Sequence, residues 1–137
     1  MNKTIKAKLD RIFSEFVRLR DSNSQYYGSC ISCGKLVFWR EADCGHFVNR
    51  QHMSLRFNER NCNLQCRSCN RFDEGNNIGY AKGLIHKYGK GVIDSLFVIK
   101  HQRSNIEDFE AKVLIEHYKQ KIKELHESKS KTIPLSK

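Results

Sequence analysis

The chain of 137 residues contains no apolar run of the roughly 20 residues that a membrane-spanning helix needs. Its one proline, Pro134, lies near the end, and it has neither internal repeats nor a low-complexity linker. The segment from Met1 to Arg20 mixes charged and apolar residues and lacks the apolar stretch of a signal peptide. These absences predict a single domain, residues 1–137, that works in the cytoplasm without a membrane partner.

Acidic residues are also scarce: 15 Asp and Glu are outnumbered by 25 Lys and Arg, which gives a formal net charge of +10. Such an excess predicts a polyanionic partner, and we expect nucleic acid. Between residues 50 and 71 the only acid is Glu59. Arginines suited to bidentate phosphate contact in this segment are Arg50, Arg56, Arg67 and Arg71. The alternative is that they form salt bridges with Asp73, Glu74 or Glu59.

The six cysteines must be explained in a reducing compartment, where metal binding is commoner than disulfide formation. Four of them form two Cys-x-x-Cys pairs, Cys30 with Cys33 and Cys66 with Cys69. Two such pairs match a tetrahedral zinc site, which has no open position and therefore stabilises the fold rather than activating water. Cys44 and Cys62 are left over, and we interpret both as small buried residues with free thiols.

Hydrophobic periodicity predicts helices on both sides of a cysteine-containing core. The predicted segments are an N-terminal helix at 4–20, a zinc-knuckle core at 26–74, a helical extension at 77–127 and a frayed tail at 128–137.

Within the core, we expect short strands before and after the first cysteine pair, a third strand at 41–48, and a helix that begins near Arg67. The extension is predicted to hold helices at 77–88 and 92–99. Its last helix is expected to begin at Ser104, where Ser104-Asn105-Ile106-Glu107 matches a capping box.

A histidine and two asparagines lie inside or directly after the loop that the zinc would close. His46, Asn61 and Asn70 follow the order of a hairpin, two strands and a helix, in which one divalent cation and one histidine cut a phosphodiester. Histidine can accept a proton from water near neutral pH, and a central asparagine can fix the imidazole. An asparagine on the helix can hold a hard cation that neutralises charge on the phosphate.

Several further motifs surround this trio. They are Cys30-Ile-Ser-Cys33-Gly, Ala42-Asp-Cys-Gly-His46-Phe-Val-Asn-Arg50, Arg56-Phe57, Gln65-Cys-Arg-Ser-Cys-Asn70, Gly75-Asn76, Tyr80 and Lys87-Tyr88-Gly89. Together they resemble the NinG/Rap family of lambdoid phages over about residues 15–125. Rap-type members are endonucleases that act on branched DNA, and the family is related to the HNH, or ββα-metal, nucleases. The resemblance implies an α+β fold with a small zinc-stapled ββα-metal (HNH-like) core, an N-terminal helix and a helical C-terminal half.

The resemblance also implies a function: an endonuclease that hydrolyses branched DNA, such as Holliday junctions, during phage recombination and leaves 5′-phosphate ends. His46 would be the general base, Asn61 its orienter, and Asn70 a ligand of a catalytic Mg²⁺ or Mn²⁺. The gene would belong to a phage or prophage, and the protein would work in the bacterial host cell with DNA and recombination proteins as partners.

The sequence departs from many HNH nucleases directly before the histidine. Where they have an Asp or His metal ligand, this chain has Gly45, which offers no side chain. Asp43 can replace that ligand if the strand bulges, because a regular strand places Asp43 and His46 on opposite faces.

Two other functions stay open on sequence grounds. One is a non-catalytic zinc module that binds DNA and recruits recombination proteins, and the other is an RNA-processing nuclease with the same centre. A homodimer would supply two active sites to a four-way junction, but a monomer is equally compatible with the sequence.

Overall fold

The computed structural model describes residues 1–131, which fold into six α-helices and two small antiparallel sheets. The helices are α1 (Lys3–Arg20), α2 (Met53–Arg56), α3 (Arg67–Phe72), α4 (Asn77–Tyr88), α5 (Val92–Lys100) and α6 (Asp108–Lys131). The strands are β1 (Tyr27–Ser29), β2 (Leu36–Phe38), β3 (Ala42–His46) and β4 (Cys62–Cys66). The α+β prediction is therefore confirmed. Among the described helices, none has the length and apolar character needed to cross a bilayer.

Strands β3 and β4 form a regular antiparallel pair that leads directly into α3. The register pairs Ala42 with Cys66 and His46 with Cys62, with one residue opposite one residue throughout. The strand bulge on which the role of Asp43 as a replacement ligand was made conditional is therefore absent. Glycine is needed there because a Cβ would clash with the side chain of Gln65 on the neighbouring strand.

Two hydrophobic clusters cover this strand pair. The first joins α1 to α6 through residues such as Leu9, Phe13 and Tyr118, and it includes Cys62 of β4. The second joins α2, α4 and α5. Because the strand pair is covered in this way, all five residues of β4 are buried.

Tyr80 of α4 ties the second cluster to the strands by hydrogen bonds. Its side chain is fully buried, and its hydroxyl donates to the carbonyl oxygen of Gly45 at 2.7 Å. The same hydroxyl accepts from Nδ2 of Asn63 at 3.2 Å. Helix α4 is therefore bonded to both strands, one residue away from His46.

The start and end of α6 differ from the prediction. The helix begins at Asp108, so the capping box at Ser104 is wrong. Asn105 donates to the carboxylate of Glu107 at 3.0 Å, and Glu110 accepts from the N–H of Glu107 at 3.4 Å, which moves the cap three residues along the chain. At the other end, residues 128–131 are helical rather than frayed, and Lys129 donates to the carbonyl of Ser22 at 2.8 Å. Residues 132–137 of the predicted tail lie outside the described residues.

Candidate functional site: a four-cysteine centre and an arginine-lined cleft

The four cysteines of the two Cys-x-x-Cys pairs come together where the β1–β2 turn meets the start of α3. Their Sγ atoms all lie within 4.8 Å of one another. Backbone N–H groups of Ser32 and Cys69 donate to the sulfurs of Cys30 and Cys66, both at 3.4 Å, and Nδ2 of Asn76 donates to Cys69 at 3.3 Å. Such N–H groups are suited to bond the sulfurs that coordinate a metal and to fix their orientation. The cluster can hold a metal ion such as zinc.

A cleft of about 440 Å³ opens between α1, β3 and α3. Its lining includes seven of the residues predicted from the sequence: Asp43, His46, Arg50, Arg56, Arg67, Asn70 and Arg71. Apart from the four cysteines of the metal cluster, the one remaining predicted residue is Asn61, which does not line it. The cleft therefore joins predicted residues that are up to 28 positions apart (71 − 43), together with side chains of α1, into one arginine-rich surface.

His46 lies at the end of β3 with its tautomer fixed by the backbone. Its Nε2 bonds to the carbonyl oxygen of Arg56 at 3.0 Å. A carbonyl can only accept, so Nε2 carries the hydrogen and Nδ1 is left to accept a proton. Burial, together with the charges of Arg50 and Arg56, lowers the pKa of His46 below its ordinary value of 6.5. The imidazole is therefore neutral at neutral pH.

Asn61 makes different contacts from those predicted. The side chain is fully buried; its Oδ1 accepts from the N–H of Val48 at 2.8 Å, and its Nδ2 donates to the carbonyls of Val48 at 3.0 Å and Leu55 at 3.1 Å. None of these bonds reaches the imidazole. They fix the loop between β3 and β4. Arg56 directly follows Leu55 in that loop, and its carbonyl oxygen bonds His46. Asn61 thus positions the histidine through the backbone.

We expect Asn61→Ala to destabilise the protein by about 3 kcal/mol, since it leaves three buried backbone groups without their partners. Urea unfolding followed by circular dichroism measures this loss. Asn49→Ala is the matched control, because Asn49 is exposed in the same loop and should cost under about 1 kcal/mol. An Asn61 variant with wild-type stability would contradict the structural role.

Asp43 and Asn70 meet on the α3 side of the cleft. Nδ2 of Asn70 donates to Oδ2 of Asp43 at 2.9 Å, and Arg71 donates to both carboxylate oxygens, each at 2.9 Å. Burial alone would raise the pKa of Asp43, but the bonds from Arg71 and Asn70 lower it below its ordinary range. The carboxylate is ionised at neutral pH. Oδ1 of Asn70 accepts no hydrogen bond from residues 1–131.

The four arginines fall into three groups. Arg56 is buried and bonds both carboxylate oxygens of Asp10, at 2.8 and 2.6 Å, so its guanidinium serves the fold. Arg67 and Arg71 face Asp43 with about half of each side chain exposed. Arg50 is exposed and forms no ion pair within the described part of the chain. The salt bridges are thus to Asp10 and Asp43 rather than to Asp73, Glu74 or Glu59.

Helix α1 contributes cleft residues that the sequence reasoning missed. Asp10, Ser14 and Arg18 line the cleft, and Nε of Arg18 donates to Oγ of Ser14 at 3.1 Å. They are spaced four residues apart, which places them in one polar row along a helix. This four-residue spacing, next to the apolar face of α1, is the sequence pattern from which these cleft residues could have been predicted.

Comparison with known proteins places this arrangement in a family. Residues 2–128 match the family model described as Bacteriophage Lambda NinG protein. The chain belongs to the NinG family. Proteins named ninG from Escherichia phage lambda, Salmonella phage P22 and Escherichia phage 933W are 36%, 35% and 34% identical to it over 116 residues. These alignments cover 84% of this chain and 54%, 54% and 55% of the relatives, so the chain spans about half their length. No solved structure matches it.

The NinG match confirms the family part of the resemblance seen in the sequence. Both the four-cysteine cluster and the residues of the cleft lie inside the matched range, 2–128. The cleft is therefore part of the region that this chain has in common with the NinG family.

Proposed function

We propose that this NinG family member is a metal-dependent endonuclease of the HNH type that hydrolyses branched DNA, Holliday junctions included, in phage recombination. One observation carries the proposal: a neutral histidine and the Asp43–Asn70 pair line the same arginine-rich cleft. The unit that presents them is two antiparallel strands followed by a helix, β3–β4–α3. A structural Zn²⁺ at the four cysteines would fix the start of that helix.

The chemistry follows from the positions of the side chains. Arg50, Arg67 and Arg71 would bind the DNA backbone, because their exposed guanidinium groups can bond phosphate oxygens in pairs. Nδ1 of His46 would take a proton from water as the water oxygen bonds to phosphorus and the bond to the 3′ oxygen breaks. The 3′ oxygen would leave as an alkoxide and take a proton from solvent, so the products would be a 5′-phosphate and a 3′-hydroxyl.

Asp43 and Asn70 are the residues that would hold a catalytic Mg²⁺ or Mn²⁺. Carboxylate and amide oxygens are the donors that these hard cations prefer. When bound, such a cation neutralises charge on the scissile phosphate and on the leaving oxygen. Asp43 lines the cleft although its strand has no bulge. Helix α3 places Asn70 beside Asp43.

A second candidate function is a non-catalytic zinc module that binds DNA and recruits recombination proteins. The observation in its favour is that Arg71 already occupies both oxygens of Asp43, while Gly45 supplies no ligand. In that case the arginines of the cleft would bind DNA, and His46 would have no chemical role.

The test is a paired binding and cleavage assay. Four-way junction, flap, linear duplex and single-stranded DNA, and an RNA hairpin, are incubated with and without Mg²⁺ or Mn²⁺. We expect cutting of branched DNA only with a cation, and Asp43→Asn should raise the cation concentration needed for half-maximal cutting about tenfold or more. Asp73→Asn, the same change at the exposed end of α3, should leave it unchanged.

Binding without cutting under every cation would favour the recruitment module. Preferential cutting of the RNA hairpin would identify an RNA-processing nuclease instead. Each result contradicts the proposed DNA endonuclease in a different way.

The pH dependence of cleavage gives a separate prediction. A general base must be neutral, so kcat/KM should fall as the pH drops through the pKa of His46. Because that pKa is lowered, we expect the acidic limb below pH 6.5. Arg50→Gln removes one of the charges that lower it and should move the limb upward, whereas Arg60→Gln, outside the cleft, should not. A wild-type limb above 6.5 would contradict this assignment.

A further inference from the structure

A second group of metal-binding side chains lies at the inner side of the cleft. The sulfurs of Cys44 and Cys62 and a ring nitrogen of His46 all lie within 4.8 Å of one another. The strand register explains this: His46 is opposite Cys62, and Cys44 precedes His46 by two residues on the same face of β3. Within residues 1–131, this group and the four-cysteine cluster are the two sets of such ligands that come so close.

The donor set indicates which ion would bind. Two sulfurs and one imidazole suit Zn²⁺ and other soft cations, and they do not suit Mg²⁺. Around a tetrahedral zinc, the ligand atoms are about 3.7 Å apart, so the side chains need to move by about 1 Å at most. The carbonyl of Arg56 holds the imidazole in place, because it accepts from Nε2 of His46 at 3.0 Å.

Access and charge also fit an ion at this position. Cys62 is fully buried, whereas Cys44 and His46 are half-buried and both line the cleft. An ion held by these three ligands would have its fourth position on the cleft side, as in zinc sites with one open position. Two thiolates balance the charge of Zn²⁺, so the ion adds no net charge beside Arg50 and Arg56. A cation bound by neutral ligands would keep its positive charge, and Arg50 and Arg56 would repel it.

We propose that Cys44, His46 and Cys62 form a second zinc site, separate from the four-cysteine centre, and that zinc bound there inhibits the cleft. The inhibition rests on the proposed function, because it acts through His46 as the base. A neutral imidazole has one nitrogen with a free lone pair, and the bound ion occupies it. The water that attacks phosphorus then loses its proton acceptor.

Zinc stoichiometry tests the site without any assay of activity. The full chain, kept reduced so that Cys44 and Cys62 cannot form a disulfide, is dialysed against buffered free Zn²⁺, and bound zinc is counted by mass spectrometry. We expect two equivalents for the wild type and one for Cys44→Ala. Cd²⁺ titration should likewise lose one step of the sulfur-to-metal absorption in the variant. One equivalent in the wild type, or two in Cys44→Ala, would overturn the site.

Cleavage assays test the inhibition separately. Loading the second equivalent should slow cleavage of branched DNA by the wild type about 10²-fold or more, the size of effect expected when a general base is lost. Cys44→Ala should resist the same free zinc concentration. Two bound equivalents with undiminished cleavage would overturn the inhibition alone. Two equivalents with no cleavage under any condition would refute the proposed nuclease and with it the inhibition, but leave the zinc site standing.

Discussion

Replacing His46 with alanine is expected to lower the rate of DNA cleavage by about 10²- to 10⁴-fold, the range typical for loss of a general base. The reason is geometric: the backbone carbonyl of Arg56 fixes Nε2 as the donor, and burial keeps the ring neutral, so Nδ1 is ready to accept a proton. DNA affinity should change little, because Arg50, Arg67 and Arg71 are untouched. Single-turnover cleavage of a four-way junction at saturating Mg²⁺ measures the effect, with binding measured in Ca²⁺.

His52→Ala is the matched control for this variant. His52 lies six positions further along the chain (52 − 46), at the start of α2, and lines a separate pocket with Phe47 and Ile78. We expect it to cut at the wild-type rate. If His46→Ala folds normally and cuts as fast as this control, the histidine is not the base and the proposed mechanism fails.

Loss of metal from the four-cysteine cluster is expected to unfold the core. Cys66 ends β4 and caps α3 at the same time, since its sulfur accepts from the N–H of Cys69. Structural zinc sites supply on the order of 10 kcal/mol of apparent binding energy, which is comparable with the whole stability of a small domain. We therefore expect Cys66→Ser to purify without zinc and to show no cooperative thermal transition.

The neighbouring Ser68→Ala serves as the comparison. Ser68 is exposed between the two cysteines of the second pair, so its loss should change stability by no more than about 0.5 kcal/mol and leave the zinc content intact. Circular dichroism and metal analysis on the same samples give both quantities. A Cys66→Ser protein that has lost one zinc equivalent but keeps the melting curve of Ser68→Ala would show that the cluster does not stabilise the fold.

The helices and the metal cluster could be predicted because their signals are local. The apolar spacing of α1 and α4 predicts both helices within one residue of their observed ends. Two Cys-x-x-Cys pairs predict four converging sulfurs, whatever path the chain takes between them. At α6 the local signal misled, since the capping box indicates Ser104, whereas Glu110 accepts from the N–H of Glu107 and the helix begins at Asp108.

The partners of the cleft residues could not be predicted, because they depend on contacts between distant segments. Arg56 bonds Asp10, 46 residues away, only because α1 packs beside the β3–β4 loop. The prediction for Asp43 depended on a bulged strand. In the structure the strand is regular, and helix α3 packs beside Asp43 instead. The position of Asn61 in the motif suggested a partner of the imidazole. That position gives no information about the buried carbonyls of Val48 and Leu55, which Asn61 bonds instead.

The hydroxyl of Tyr80 sets a limit on how far this protein can be shortened. A fragment that stops after α3 would keep every candidate residue of the cleft and all four cysteines of the metal cluster. It would lose the only side chain that bonds both Gly45 and Asn63 among the described residues, and with it the support for the strand that carries His46. The smallest autonomous unit that can be excised or transplanted must therefore include α4, besides α1 and α6, which form the first hydrophobic cluster with Cys62 of β4.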